Sequence, residues 1–162
     1  MPKSKFDADG GDKNLVDVIG TQVHLKNPNK KWDEIAGQEE GKYLLEHAVG
    51  MPLFYPKLFK GALKPWKSVL MFGPKGNGKK VLAKAAATEC KTELFYVPAE
   101  MIVSRYKNKF EQFVCLLFKM ARFYAPTIIF IDEIDLFCLK PNAEVKSEFL
   151  LQMDDDVNNE NP

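Results

Sequence analysis

Three cysteines in 162 residues, Cys90, Cys115 and Cys138, are too few and too far apart for a disulfide framework or a metal-ligand spacing. Reduced, buried thiols acting as small hydrophobes are the expectation. The chain also lacks an excess of either charge. Its 23 basic and 22 acidic residues leave a net charge of +1. Neither nucleic acid nor a membrane surface has a bulk electrostatic reason to bind, and no partner of either kind is expected. No apolar run reaches the length of a membrane span, no signal peptide follows Met1, and no internal repeat is visible. A cytoplasmic or nuclear setting follows as the default. The two histidines, His24 and His47, stand alone and read as surface or helix-face residues. Trp32 and Trp66 read as packing anchors. Apolar residues make up 46% of the chain, enough for a globular domain with a core.

Residues 1–31 are polar and glycine-bearing, and read as an extended leader with at most a short helix over Asp12 to Val23. The spacing of Leu44, Leu45, Ala48 and Val49 predicts a helix from Gln38 to Val49. "SVLMF" at 68–72 is a short apolar run ending in a glycine, the pattern of a buried parallel strand. "VLAKAAATEC" predicts a helix and "ELFYV" a second strand. Phe110, Phe113, Val114, Leu117, Ala121 and Tyr124 mark an amphipathic helix from Lys109 to Tyr124. "TIIFI" is a third buried strand, and a last helix spans roughly Ala143 to Met153 before a polar, frayed end. Strands alternating with helices predict an α/β fold with a parallel sheet flanked by helices.

Chemistry is concentrated in two places. "GPKGNGKK" comprises Gly73, Pro74, Lys75, Gly76, Asn77, Gly78, Lys79 and Lys80. Gly73, Gly78 and Lys79 keep the spacing G-x-x-x-x-G-K of a phosphate-binding loop. Glycines let backbone N–H groups turn inward toward an anion, a following helix N-terminus adds partial positive charge, and Lys79 would reach outer phosphates. Read alone, the same residues also fit a plain glycine turn between a strand and a helix. "IIFIDEID" then places Asp132 and Glu133 after a strand, at the sheet edge where ligands bind in parallel α/β folds. Asp132 suits orientation of a magnesium shell, and Glu133 suits polarising a water for attack on a terminal phosphate. Tyr106 lies among Arg105, Lys107, Asn108 and Lys109. Such a loop can grip an acidic extended peptide, although the residues alone favour a solvated loop with one packed tyrosine.

The segments "LKPWKSVLMFGPKGNGKK", "AKAAATEC", "KMARFYAPTIIFIDEID" and "VKSEFLLQMD" closely resemble the katanin family of catalytic AAA ATPases. "FDADGGDKNLV" and "NPNKKWDEIAG" resemble the stretch leading into that ATPase module, so the likeness runs from about Phe6 to Asp154. The resemblance implies a partial P-loop AAA large subdomain over 32–154 without the small helical lid domain, a leader over 1–31 and a polar tail over 155–162. It implies ATP and Mg2+ as cofactors, and hydrolysis coupled to microtubule severing by a hexamer that draws acidic tubulin tails through a pore. By position, Gly73 to Lys79 match the phosphate loop, Asp132 the magnesium-binding acid and Glu133 the water-activating acid. Ile35, Ala36 and Gly37 match the segment whose backbone lies against adenine. Tyr106, flanked by Arg105 and Lys107, matches the pore-loop aromatic. Cytoplasm and cytoskeleton, on microtubules and spindle, are the implied location.

Four positions depart from the family pattern. Lys80 stands where a magnesium-holding hydroxyl is expected, Lys75 and Asn77 replace a proline and a threonine, and Asn108 replaces a glycine beside the aromatic. The family's sensor strand, which lies between the strand at 68–72 and the strand at 127–131, would follow "QMD". "SVLMF" is therefore expected to lack its usual neighbours. Two functions follow: an ATP-binding, katanin-like module with impaired hydrolysis, or a non-catalytic protein that docks on full-length katanin-like subunits in a hetero-oligomer.

Overall fold

The computed structural model describes residues 6–7, 10–26 and 28–158. In chain order its main elements are α1 (Lys13–Val18), β1 (His24–Leu25), α2 (Glu39–Leu45), α3 (Met51–Phe54), α4 (Lys79–Glu89), β2 (Glu93–Pro98), α5 (Phe110–Phe123), β3 (Thr127–Asp132) and α6 (Ala143–Asn158). The three strands form one sheet in the order β1–β2–β3. The chain divides into two compact units, one of Met1–Leu25 with Phe95–Pro162 and one of Lys26–Leu94. Among the described residues no helix is long and apolar enough to cross a membrane.

In the first unit, the Asp12 carboxylate caps α1 by accepting from the Asn14 N–H at 2.9 Å, as short acidic side chains do at helix starts. The Lys109 ammonium, 3.1 Å away, and these hydrogen bonds hold the Asp12 carboxyl below its ordinary pKa, with Lys109 the largest cause. The helix runs on through a π-helical turn over Ile19–Val23 into β1. Leu15, Ile19 and Val23 recur every fourth residue, so they share one face. They are 2%, 0% and 0% exposed. Residues 13–25 are therefore core-forming helix and end strand: the helix lies where a short one was allowed over Asp12 to Val23, and its burial in the core is what departs from the extended leader expected over 1–31. Residues 1–5, 8, 9 and 27 of that stretch lie outside the described residues. His24 is not a surface residue either. As part of β1 it is buried, and its ring stacks on Phe95 of β2 with centroids 4.5 Å apart.

The segment β2–α5–β3 is a helical crossover between neighbouring strands. Phe113, Val114 and Leu117 are fully buried on the expected stripe of α5. Leu116, Phe118 and Met120 are buried as well, Phe118 where α6 packs against the helix. The Phe118 and Phe149 rings meet edge-on at 6.0 Å, and the Arg122 guanidinium donates to the Gln152 carbonyl at 3.2 Å. Anchored through Phe149 and Gln152, α6 continues to Asn158. The tail expected over 155–162 is thus helical through 158, and 159–162 lie outside the described residues.

In the second unit, α2, a π-helical turn over Glu46–Gly50 and α3 extend the helix expected at 38–49 by about a turn. Pro52 falls at the start of α3, directly after the π-helical turn. Leu45 from α2 and Leu82, Ala83, Ala86 and Ala87 from α4 are buried. The Trp32 N–H donates to the Glu89 carboxylate and the Lys30 N–H to the Thr88 hydroxyl, both at 3.1 Å. Cys90 is buried, and a methyl group at Gly50 would lie 3.3 Å from its sulfur. Burial first, then Glu46 and Glu89, push the Cys90 thiol up to about 11. The expectation of buried thiols is corrected for the other two, since Cys115 is half-buried and Cys138 exposed.

Residues 68–72 are not a strand. Leu70 is 73% and Phe72 90% exposed, and Trp66, expected to anchor packing, is exposed too. Apolar side chains favour burial, but a strand exists only where a neighbour completes its ladder of backbone hydrogen bonds. The strands among the described residues lie at 24–25, 93–98 and 127–132, and the sheet order leaves 68–72 outside the ladder.

Candidate functional site

The glycine loop lies in the unit Lys26–Leu94. Chain outside any helix or strand enters it, turns over 75–78, and α4 begins at Lys79. Gly73, Gly76 and Gly78 have φ of 151°, 78° and 82°, a region that side-chain-bearing residues avoid. At Gly78 space is short as well, since a Cβ would come within 3.0 Å of Gln38 Nε2. The Lys79 ammonium arches back over the loop and donates to the carbonyls of Gly73 at 2.7 Å and Pro74 at 3.1 Å. Lys80 is exposed in the first turn of α4.

Gln38 was not legible as a site residue. Its side-chain amide donates to the Asn77 carbonyl at 2.6 Å. It thereby ties the loop to the adjoining segment Ile35, Ala36 and Gly37, whose Ile35 carbonyl accepts from Lys42 at 2.7 Å. Gly73 to Lys79 and Ile35 to Gly37 lie within one unit, linked through Gln38.

The acidic pair lies in the other unit. β3 ends at Asp132, and a short 3-10 helix over Ile134–Cys138 follows. Glu133 between them is left-handed, with φ 57° and ψ 45°, a conformation that costs a residue bearing a side chain about 1–2 kcal/mol. The Asp132 carboxylate accepts from the Tyr96 hydroxyl of β2 at 2.5 Å. Burial first, then this hydrogen bond and the charges of Asp132 and Glu133, push the Tyr96 phenol far above its ordinary pKa. It stays protonated and a donor. Tyr96 was also missed, because its partner is on another strand 36 residues away.

Tyr106 lies between a π-helical turn over Met101–Arg105 and a 3-10 turn over Lys107–Lys109. Its half-buried ring stacks on Phe113 of α5 with centroids 5.1 Å apart, while Arg105 and Lys107 are exposed.

The residues can be matched against the cofactors that the resemblance implies. The loop fits a nucleoside phosphate: its glycines keep the backbone open to close approach, the N-terminus of α4 faces an anion favourably, and Lys79 supplies donors. Asp132 fits a magnesium shell as a hard oxygen donor. Lys80 does not, since an ammonium has no lone pair to give a metal. Among the described residues no three His, Cys, Asp or Glu side chains cluster, so a magnesium ion would take most of its ligands from phosphate and water.

A family model described as the ATPase family associated with various cellular activities (AAA) matches residues 69–162. That is more than half of the chain, and the chain belongs to the AAA family. Within it the likeness to katanin is strong. The chain is 50% identical over 162 residues to Homo sapiens katanin p60 A-like 1, an ATPase-containing katanin polypeptide, covering 95% of this chain and 33% of that protein. It thus spans about a third of the length of the curated relatives it matches. A crystal structure of the FIGL-1 AAA domain in complex with ADP superposes with a TM-score of 0.81 at 36% identity, over 88% of this chain and 49% of that one. A structure concerned with katanin self-assembly superposes with a TM-score of 0.78 at 40% identity, over 91% of this chain and 50% of that one. The fold is a partial AAA module.

Proposed function

We propose that this chain is a katanin-like AAA module that binds ATP and hydrolyses it poorly. The carrying observation is the loop itself. Its glycine geometry and the reach of Lys79 are those of a phosphate cradle, while Lys80 occupies the place of a metal-holding hydroxyl. The loop backbone and Lys79 would hold the phosphates and the Ile35–Gly37 segment would lie against the base, while the resemblance gives Asp132 the part of orienting magnesium-bound water and Glu133 that of polarising the attacking water. When bound, magnesium would neutralise phosphate charge. Lys79 leaves two carbonyl hydrogen bonds to reach the nucleotide, so part of its binding energy replaces them. In the microtubule severing that the katanin resemblance implies, Arg105, Tyr106 and Lys107 would meet acidic tubulin tails. That role requires Tyr106 to leave its contact with Phe113. A cytoplasmic, microtubule-associated location goes with this reading. In solution the purified chain should bind a fluorescent ATP analogue and release phosphate at the rate of a protein-free control. Robust turnover would overturn the reading of Lys80.

A second reading has its own observation. Leu58, Leu63, Trp66, Leu70 and Phe72 are all exposed in one short stretch, more apolar surface than a solitary soluble unit ordinarily leaves uncovered. Docking on a full-length katanin-like protein would cover it. Co-purification with such a protein, and a changed ATPase rate of the mixture, supports this role. Separate elution with unchanged ATPase activity excludes it.

A further inference from the structure

Gln38 carries an inference that rests on the nucleotide reading above and deepens it. It lies in the same unit as the phosphate loop. It precedes α2 in a left-handed conformation, with φ 57° and ψ 36°, and its side chain makes no cap to that helix. The side-chain amide reaches instead across 39 residues of sequence, where Nε2 donates to the Asn77 carbonyl at 2.6 Å. The amide also lies against Gly78, where a Cβ would come within 3.0 Å of Nε2 and 3.6 Å of Oε1. One peptide unit, Asn77–Gly78, is therefore touched at both ends. In a planar trans peptide the carbonyl and the N–H point in opposite directions. Fixing the Asn77 carbonyl toward Gln38 thus fixes the Gly78 N–H away from it. A flip of this unit would turn ψ of Asn77 and φ of Gly78, and glycine accepts φ of either sign. The backbone alone therefore resists the flip weakly. A flipped unit would present a carbonyl oxygen where an anion needs a donor.

We propose that Gln38 is a positioning residue for the phosphate loop, pinning the Asn77 carbonyl so that the Gly78 N–H stays turned toward a bound phosphate chain. A glutamine that only steadied the segment Ile35–Gly37 would act on recognition of the base. A glutamine that sets the Asn77–Gly78 peptide acts on the phosphates, whether or not a base is attached to them.

The experiment compares the natural full chain with Gln38→Met, which keeps the length of the side chain and removes its donor. All measurements are made without divalent metal. A fluorescent ATP analogue is bound to each protein and displaced by ATP and by inorganic tripolyphosphate, which has no base. The affinities for ATP and for tripolyphosphate should fall in Gln38→Met by the same factor, on the order of tenfold, the scale of one hydrogen bond to a charged group. Thermal melting without ligand should be unchanged. In chains carrying isotope-labelled glycine, the Gly78 amide resonance should move when tripolyphosphate is added to the natural chain, and move less at saturation in Gln38→Met. Equal affinities in the two proteins overturn the positioning role. So does a loss confined to ATP, which would put the effect at the base. A lowered melting temperature with an unchanged Gly78 response makes the bond purely structural and overturns it as well. A Gly78 resonance of the natural chain that ignores tripolyphosphate overturns it without recourse to the variant, and so does an analogue that tripolyphosphate fails to displace. If the natural chain binds no analogue, the nucleotide reading itself fails, and Gln38 loses the role with it.

Discussion

Replacing Lys80 by threonine should turn a weak response of ATP binding to magnesium into a strong one. In the chain as it stands an ammonium occupies the first turn of α4, next to the residue whose ammonium already caps the loop. A threonine hydroxyl would offer a lone pair to the metal, whereas an ammonium offers none. The ammonium also repels the metal. Two unit charges about 4 Å apart interact by about 4 kcal/mol at an effective dielectric of 20, and a divalent ion feels more. Toward ATP the sign reverses, since an extra cation attracts the triphosphate much as magnesium does. The natural chain should therefore bind ATP nearly as well without magnesium as with it. In Lys80→Thr magnesium should tighten binding by on the order of tenfold or more, since about 1.4 kcal/mol recovered is a factor of ten. Calorimetric titration with ATP, with and without magnesium, reads this directly. An equal magnesium effect in both proteins would make Lys80 innocuous.

Amide exchange across residues 68–72 should change even more when the chain is given the rest of an AAA domain. The solved AAA domains of FIGL-1 and katanin are about twice as long as the portion this chain matches. Residues 68–72 lie outside the sheet. Their N–H groups should exchange at close to the rate of an unfolded peptide. Supplied with the C-terminal half of a katanin AAA domain as a second polypeptide, the segment would gain neighbours on both sides and bury Leu70 and Phe72. An opening free energy of only about 4 kcal/mol, within the range of sub-global opening, corresponds to roughly a thousandfold slower exchange. Protection already present in the isolated chain, or none gained on complementation, would count against this placement of the segment.

The contrast between two apolar runs explains what a sequence of this kind discloses. "TIIFI" and "SVLMF" have the same length and the same character. One is β3, and the other pairs with nothing in the sheet. An apolar run reports a tendency to be buried, whereas a strand also needs a ladder, and that lies elsewhere in the chain. Helix α5 was legible because its information is local: six apolar residues at helical spacing define its face without reference to anything else. Leu15, Ile19 and Val23 carry the same kind of signal. It was diluted by Gly10, Gly11 and Gly20 and by polar neighbours, so the short helix allowed over Asp12 to Val23 was not read as part of the core. In the candidate site, spacing pointed to Gly73 to Lys80 and to the pair Asp132 and Glu133. Gln38 and Tyr96 were invisible because each matters through one distant partner, the Asn77 carbonyl for the first and the Asp132 carboxylate for the second. Tyr106 is the packed tyrosine that its residues alone favoured, while its partner Phe113 was a matter of fold.

That this chain holds ATP on the loop Gly73–Lys79 is the claim on which the rest depends, and one titration addresses it most directly. ATP is titrated into the natural chain and into Lys79→Ala, without magnesium, so that the metal chemistry of Lys80 and Asp132 does not enter. Lys79 already donates to two loop carbonyls, and its removal takes away donors for a charged phosphate. A hydrogen bond to a charged group contributes about 1.5–3 kcal/mol, so Lys79→Ala should weaken ATP binding by roughly ten- to a hundredfold. Saturable binding by the natural chain with that loss in the variant is the predicted result. No binding by the natural chain, or equal affinity in the two, would contradict it.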